Sequence, residues 1–398
     1  MRLKSYVEST REEDDAVTVS RRTFFRVAGA GAAGSLLMPW ISGRGLEALT
    51  LGGHVEGPTR YRAPGAIRLN SNENPNGPGA VALAAITGAL GEANRYPRDS
   101  VVALRAAIAT SFGIGTDNVV LGCGSSDILR ACVYAFTGPG RALVTSQPSY
   151  ESPSADAKRV GAEVIEVPVT GDLKLDLDAM AIAARGAGLV YLCNPNNPTS
   201  TVHGAAAITR FVAQVMKDSP NTTILIDEAY HEYVDEPTYA TALPMAMENP
   251  RVVIARTFSK VYGLAGMRVG YALGSARTMA SVEPQVLSMG VSQLAAAAAM
   301  AALGGRAHIE RERVLNREAR SFTLRALADC GYPAADSQAN FMMTDLRRDA
   351  QPFRDACKSG GILVGRPFPP LTNYVRISVG TMDEMRQAMD VFRRVLAT

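Results

Sequence analysis

The 398-residue chain predicts an α/β protein with two domains. The larger holds a mainly parallel, mixed sheet sandwiched by helices; the smaller is α+β. Three observations predict this. The length suits two packed cores better than one. From about residue 60, short apolar runs alternate with amphipathic stretches, the pattern of strand–helix–strand crossover units. Beyond about residue 300, long amphipathic stretches take over with few strand-like runs between them.

Taken in order, the first fifty residues differ from the rest. Residues 1–19 are polar and charged, with the acidic run Glu12, Glu13, Asp14, Asp15. Ser20-Arg21-Arg22-Thr23-Phe24-Phe25-Arg26 follows, and then Val27–Trp40, apolar or small apart from Ser35. The order resembles a twin-arginine export signal, which implies a periplasmic protein; a cytoplasmic N-terminal arm is the alternative. The apolar stretch is shorter than the roughly 20 residues of a spanning helix, so no stable membrane span is expected.

Residues 1–55 are therefore set apart as signal-like segment and linker. The large domain is expected over 86–295, and the small one over 56–85 with 296–398.

In the large domain, Val119–Leu121 leads into Gly122-Cys123-Gly124-Ser125-Ser126 and then a helical pattern through Ile128, Leu129, Cys132, Val133 and Phe136. Ala142–Thr145 reads as a strand, and Pro148-Ser149-Tyr150 as a turn into a helix. Glu163–Val167, Leu189–Cys193, Thr223–Ile226, Val252–Ala255 and Arg268–Leu273 are further strands, with the helix-like Ala205–Met216 between two of them. The alanine-rich Leu294–Leu303 reads as a helix. In the small domain, the amphipathic Ala307–Cys330 and Gln351–Lys358 alternate with strand-like Asn340–Thr344 and Val375–Val379.

Composition excludes several functions. The chain carries 41 basic and 38 acidic residues, net +3 and interspersed, whereas nucleic-acid binding needs a concentrated basic face. Its five cysteines and four histidines have no ligand spacing, so neither a disulfide framework nor a metal site is expected.

The polar clusters lie just after strands, where ligands sit in open α/β sheets. Thr257-Phe258-Ser259-Lys260 follows Val252–Ala255, with Arg268 eight residues on. A lysine there is costly unless its amine is used or neutralised, and an imine with an aldehyde cofactor does both. Taken alone, a solvated surface lysine is the simpler reading.

Asp227 ends the strand Thr223–Ile226, with Tyr230 three residues on. Its carboxylate suits either a protonated pyridine nitrogen or a helix N-cap. Asn194-Pro195-Asn196-Asn197-Pro198-Thr199 is a proline-stiffened turn that can aim an amide into a pocket. The Gly122–Ser126 turn opens a helix and suits an anion.

Together and in this order, these motifs resemble fold-type I pyridoxal-phosphate enzymes. Among these they are most similar to the class I/II aminotransferases, in their histidinol-phosphate aminotransferase branch. The resemblance spans about Leu69 to Gly380, including Leu69-Asn70-Ser71-Asn72-Glu73-Asn74-Pro75-Asn76-Gly77-Pro78, Arg95-Tyr96-Pro97 and Arg376-Ile377-Ser378-Val379-Gly380. It implies pyridoxal 5'-phosphate bound by Lys260 as a Schiff base, an amino-acid substrate with a 2-oxo acid partner, and a homodimer with shared active sites.

By the same resemblance Asp227 meets the pyridine nitrogen, Asn197 and Tyr230 the ring oxygen, and Tyr150 the ring face. Gly124, Ser125, Ser126, Ser259, Arg268 and the partner's Tyr96 hold the phosphate. Arg376 binds the substrate carboxylate, and Arg366 and Asn72 complete the substrate site. The chain departs from the branch in carrying one residue more before Arg366, and Ser126-Asp127 where Asp-Glu is commoner. A decarboxylase or lyase on the same scaffold, or a ligand-binding protein, are the competing functions.

Overall fold

The computed structural model describes residues 65–397, so the signal-like segment lies outside the described residues. The strands are β1 (Ile67–Leu69), β2 (Val119–Cys123), β3 (Leu143–Gln147), β4 (Val164–Pro168), β5 (Leu189–Cys193), β6 (Thr223–Asp227), β7 (Val252–Thr257), β8 (Val269–Gly274), β9 (Phe341–Asp345), β10 (Ile362–Val364) and β11 (Tyr374–Ser378).

Seven of these form one sheet in the order β2-β8-β7-β6-β5-β3-β4. β4, β3, β5, β6 and β7 pair in parallel, while β8 is antiparallel to both β7 and β2. The mainly parallel, mixed α/β sheet predicted from sequence is the one observed.

β5, β6 and β7 are buried at every position, which is why they read as continuous apolar runs rather than as alternation. Their side chains still alternate in space. Val190, Leu192, Ile224, Ile226 and Ile254 join the apolar cluster on one face, and Leu189, Tyr191, Leu225, Val253 and Ala255 the cluster on the other. Each large apolar side chain sealed in this way contributes about 1.5–3 kcal/mol. A third cluster gathers Leu69 of β1 with side chains of β9, β10, β11 and the helices Arg306–Asp329, Ala350–Ser359 and Met382–Leu396.

Several boundaries move. β6 runs on to Asp227 because its parallel neighbours continue the ladder past the apolar run, and β7 runs on to Thr257 because the antiparallel β8 does. β8 begins at Val269, one residue after the expected start, because Arg268 sits in a left-handed turn at φ 58°. Three-residue β1 and β10, paired in parallel, carry too few positions to show a period.

Among the described residues, no helix is long and apolar enough to cross a membrane, and no group of His, Cys, Asp and Glu is placed to hold a metal ion.

Candidate active site

Because β2, β3, β5, β6 and β7 run the same way, the residues following them converge at one edge of the sheet. The reversed β8 begins at that edge, so Arg268, just before it, arrives there too. Neighbouring strands lie about 4.8 Å apart, so the cup formed at β8 and β2 is about 10–14 Å from the end of β6. Between them opens a cavity of about 450 Å³. Ser125, Ser126, Tyr150, Asn197, Asp227, Tyr230, Ser259, Lys260, Arg268, Arg376 and Asn72 all line it.

At one end, Gly124 (φ 76°) precedes the helix Ser125–Phe136. A Cβ there would collide with the Arg268 guanidinium, so only glycine lets the arginine and the helix N-terminus approach the same point. The Arg268 guanidinium reaches Ser259 Oγ at 3.5 Å and donates to the Ala265 carbonyl at 3.0 Å. Ser126 Oγ lies 3.3 Å from the Tyr150 hydroxyl. Together these form an anion cup of hydroxyls, backbone N–H groups and one guanidinium.

At the other end stands Asp227, buried, accepting from the Tyr191 hydroxyl at 2.9 Å and Ala229 N at 3.1 Å. Burial pushes its carboxyl up to about 6, against those two donors and Lys260.

Between the ends, Lys260 Nζ donates to the Asn72 carbonyl at 3.2 Å and lies 5.4 Å from the Tyr230 ring centroid. Burial and the Arg376 charge push its amine down to about 8. Burial also raises the Tyr230 phenol, which accepts from Asn72 Nδ2 at 3.3 Å. Asn72 is pinned in turn by Ser378, whose hydroxyl donates to Asn72 Oδ1 at 2.7 Å.

Arg376 enters from β11. One guanidinium N–H donates to Asn197 Oδ1 at 2.7 Å and another to the Asn70 carbonyl at 2.7 Å. Its buried Nε has no protein partner, an unmet donor aimed by a fixed side chain. Burial lowers the arginine's pKa.

Gly124 lies behind the lining as the turn before Ser125, and two expected side chains do not meet the cavity. Arg366 is exposed, ion-pairs with Glu151, and stacks over Phe368 at 4.4 Å; it is not among the lining residues, because its charge is already engaged outside. Tyr96 is 77% exposed and is not among the residues that line this chain's cavity.

Residues missed from the sequence include Ser71, Glu73, Cys193 and Thr257 in the lining, and Tyr191 behind Asp227. The signal for Tyr191 was a phenol inside a wholly buried strand, which must find a partner. A larger surface groove of about 750 Å³, bounded by Lys174, His203, Glu236 and Asp345, contains none of the groups above.

An amine between an anion cup and a buried carboxylate fits a cofactor with a phosphate, an aldehyde and a basic ring nitrogen in that order. The fold and site thus define an enzyme of the aldehyde-cofactor class. The family model for aminotransferase class I and II matches residues 64–392, and the chain belongs to that family: it is a pyridoxal-phosphate-dependent aminotransferase.

A histidinol-phosphate aminotransferase from Symbiobacterium thermophilum is 37% identical over 83% of this chain and 90% of its own length. An aromatic amino acid aminotransferase from Streptomyces avermitilis is 34% identical over 85% of this chain and 92% of its own. Among solved structures, the histidinol-phosphate aminotransferase from Sinorhizobium meliloti, in complex with pyridoxal-5'-phosphate, superposes with TM-score 0.78 at 29% identity. It covers 84% of this chain and 91% of that one.

Proposed function

We propose that this aminotransferase moves an amino group between a histidinol-phosphate-like or aromatic donor and a 2-oxo acid, with Lys260, Asp227 and Arg376 as its working residues. The observation that carries the reading is one cavity of about 450 Å³ that brings together the Lys260 amine, the Arg268 cup, the buried Asp227 and the Arg376 guanidinium. Bound pyridoxal phosphate supplies a carbonyl that condenses with amines and a protonated ring that draws electrons from the substrate Cα.

The chain's residues do the rest. Gly124, Ser125, Ser126, Ser259 and Arg268 bind the phosphate through backbone and side-chain donors. Asp227 would face the ring nitrogen. Asn197, its carboxamide oxygen taken by Arg376, would offer its NH₂ edge, with the Tyr230 hydroxyl, to the ring oxygen. Tyr150 would cover the ring face. Lys260 Nζ would hold the cofactor's aldehyde and is the base that would take the proton from the substrate Cα.

Arg376 grips the substrate carboxylate and fixes which Cα bond is broken. Holding that carboxylate also guards it against loss as CO₂, which favours transamination over decarboxylation. Asn72, tied to both Lys260 and Tyr230, steadies the amine at the substrate.

Two further parts of the reading concern assembly and location. Val81, Leu90, Tyr96 and Val102 are exposed within one stretch of about twenty residues, which suits a homodimer whose partner Tyr96 completes the phosphate site. The paired arginines and short apolar stretch at 20–40 suit twin-arginine export.

The test is a spectral half-reaction with a panel of amino donors. Conversion of the cofactor to its amine form, without CO₂ release and reversed by a 2-oxo acid, is the expected result. Stoichiometric CO₂ would replace transamination with decarboxylation.

A further inference from the structure

Asp227 is held from behind as well as facing the cavity. Ala229 N donates to Oδ1 at 3.1 Å, and the phenol of Tyr191 donates to Oδ2 at 2.9 Å. Tyr191 is wholly buried in β5, two residues before Cys193, the register partner of Asp227. It packs among Leu189, Leu225 and Val253, where a hydroxyl without a partner would cost about 1–3 kcal/mol. The carboxylate offers about four lone-pair sites; two are occupied by these donors.

We propose that Tyr191 is a positioning residue for the cofactor's ring nitrogen. Its phenol fixes the plane of the Asp227 carboxylate and keeps that carboxylate the anion a protonated nitrogen needs. This rests on the reading that Asp227 faces the nitrogen, and goes beyond it by naming the group that sets the carboxylate's proton affinity.

The surroundings support it. Burial favours the neutral acid, and of the groups that favour the anion the Tyr191 hydrogen bond is the strongest, ahead of Ala229 N and Lys260. Glu228, next along the chain, opposes the anion, but its charge is engaged by Arg256 of β7 at 2.8 Å. Cys193 on β5 is held as the neutral thiol by burial, and the Tyr230 phenol is likewise held neutral. Glu73, Arg268 and Arg376 line the same cavity. Without the phenol, one backbone N–H and a distant amine remain, and Asp227 takes up its proton at higher pH.

The test is equilibrium dialysis of pyridoxal phosphate against the full-length chain from about pH 8 down to about pH 5.5. Tyr191→Phe is expected to bind within about threefold of the parent near pH 8 and about fivefold more weakly near pH 6, because its acid limb moves up by about one pH unit. A merely structural role would instead weaken binding equally at every pH. Parallel curves, or no change, overturn the proposal.

Should Tyr191→Phe not fold, 3,5-difluorotyrosine in place of Tyr191 keeps the ring and strengthens the donor. Its acid limb is expected to move to lower pH, and an unmoved limb overturns the proposal equally. Asp227→Asn separates the two levels. Parent-like affinity in that variant refutes the assignment of Asp227 itself, whereas a weakened Asp227→Asn beside a parallel Tyr191→Phe refutes only Tyr191.

Discussion

A lysine serves an aldehyde only as the free amine, so the environment of Lys260 matters as much as its presence. Burial and the Arg376 cation push the amine down to about 8, against the pull of Asp227 and Glu73. Cofactor uptake by the full-length apo-chain, followed by absorbance, should therefore quicken with pH and level off above about pH 8, not near the ordinary lysine value of about 10.4. Arg376→Leu removes a cation, raises the amine's pKa and should move that plateau to higher pH. A rate still climbing at about pH 10 in the parent would mean a solvated amine. Lys260, Asp227 and Asn197 were legible in the sequence because each ends or follows an apolar strand, where chain position fixes the sheet edge; Arg268 was legible through its spacing from Lys260 and the family resemblance. Tyr191 and Glu73 were not: Tyr191 matters through register with β6, and Glu73 through a segment that reaches the cavity only when the distant strands are assembled.

Among the elements, β8 decides whether the phosphate cup forms. The sequence shows β8 as an apolar run, but such a run carries no sign of direction, so the reversal of β8 and the arrival of Arg268 from its start were invisible. The reversal also sets Gly270 opposite Gly122, with the cup's backbone directly against it: a Cβ at Gly270 would run into Ser125 N. Alanine in a strand interior is otherwise favoured over glycine by about 0.5–1 kcal/mol. Here the clash should outweigh that gain. Gly270→Ala is expected to lose about 1–3 kcal/mol in urea denaturation and to hold pyridoxal phosphate at least about tenfold more weakly, because Ser125 is displaced from the phosphate. An alanine variant of parent stability and affinity would show that the loop has room to move. β1 and β10 escaped the sequence reading for a different reason. Each is three residues long and gains its identity only from its partner nearly three hundred positions away.

At the scale of the whole molecule, the site draws on chain segments from both ends of the described residues. Asn72 and Arg376 join strand ends from the central sheet, and Ser378 of β11 locks Asn72 in place. The α/β class was legible because alternating strands and helices reveal it locally, whereas this closure between distant segments has no local signature. The proposed dimer extends the same logic beyond one chain, and it can be tested by complementation. A Lys260→Ala chain has no working amine but keeps Tyr96; a Tyr96→Phe chain keeps the amine but lends its partner no phenol. In a hybrid dimer the Tyr96→Phe chain's cavity holds Lys260 and receives an intact Tyr96 from the other chain, so one complete site is rebuilt. With free exchange half the dimers are hybrids, and the equal mixture should reach about a quarter of parental activity per chain. Each variant alone should fall well below that, the first to nothing and the second through weaker phosphate retention. Activity equal to the mean of the two separate variants after subunit exchange would mean that each chain completes its own site.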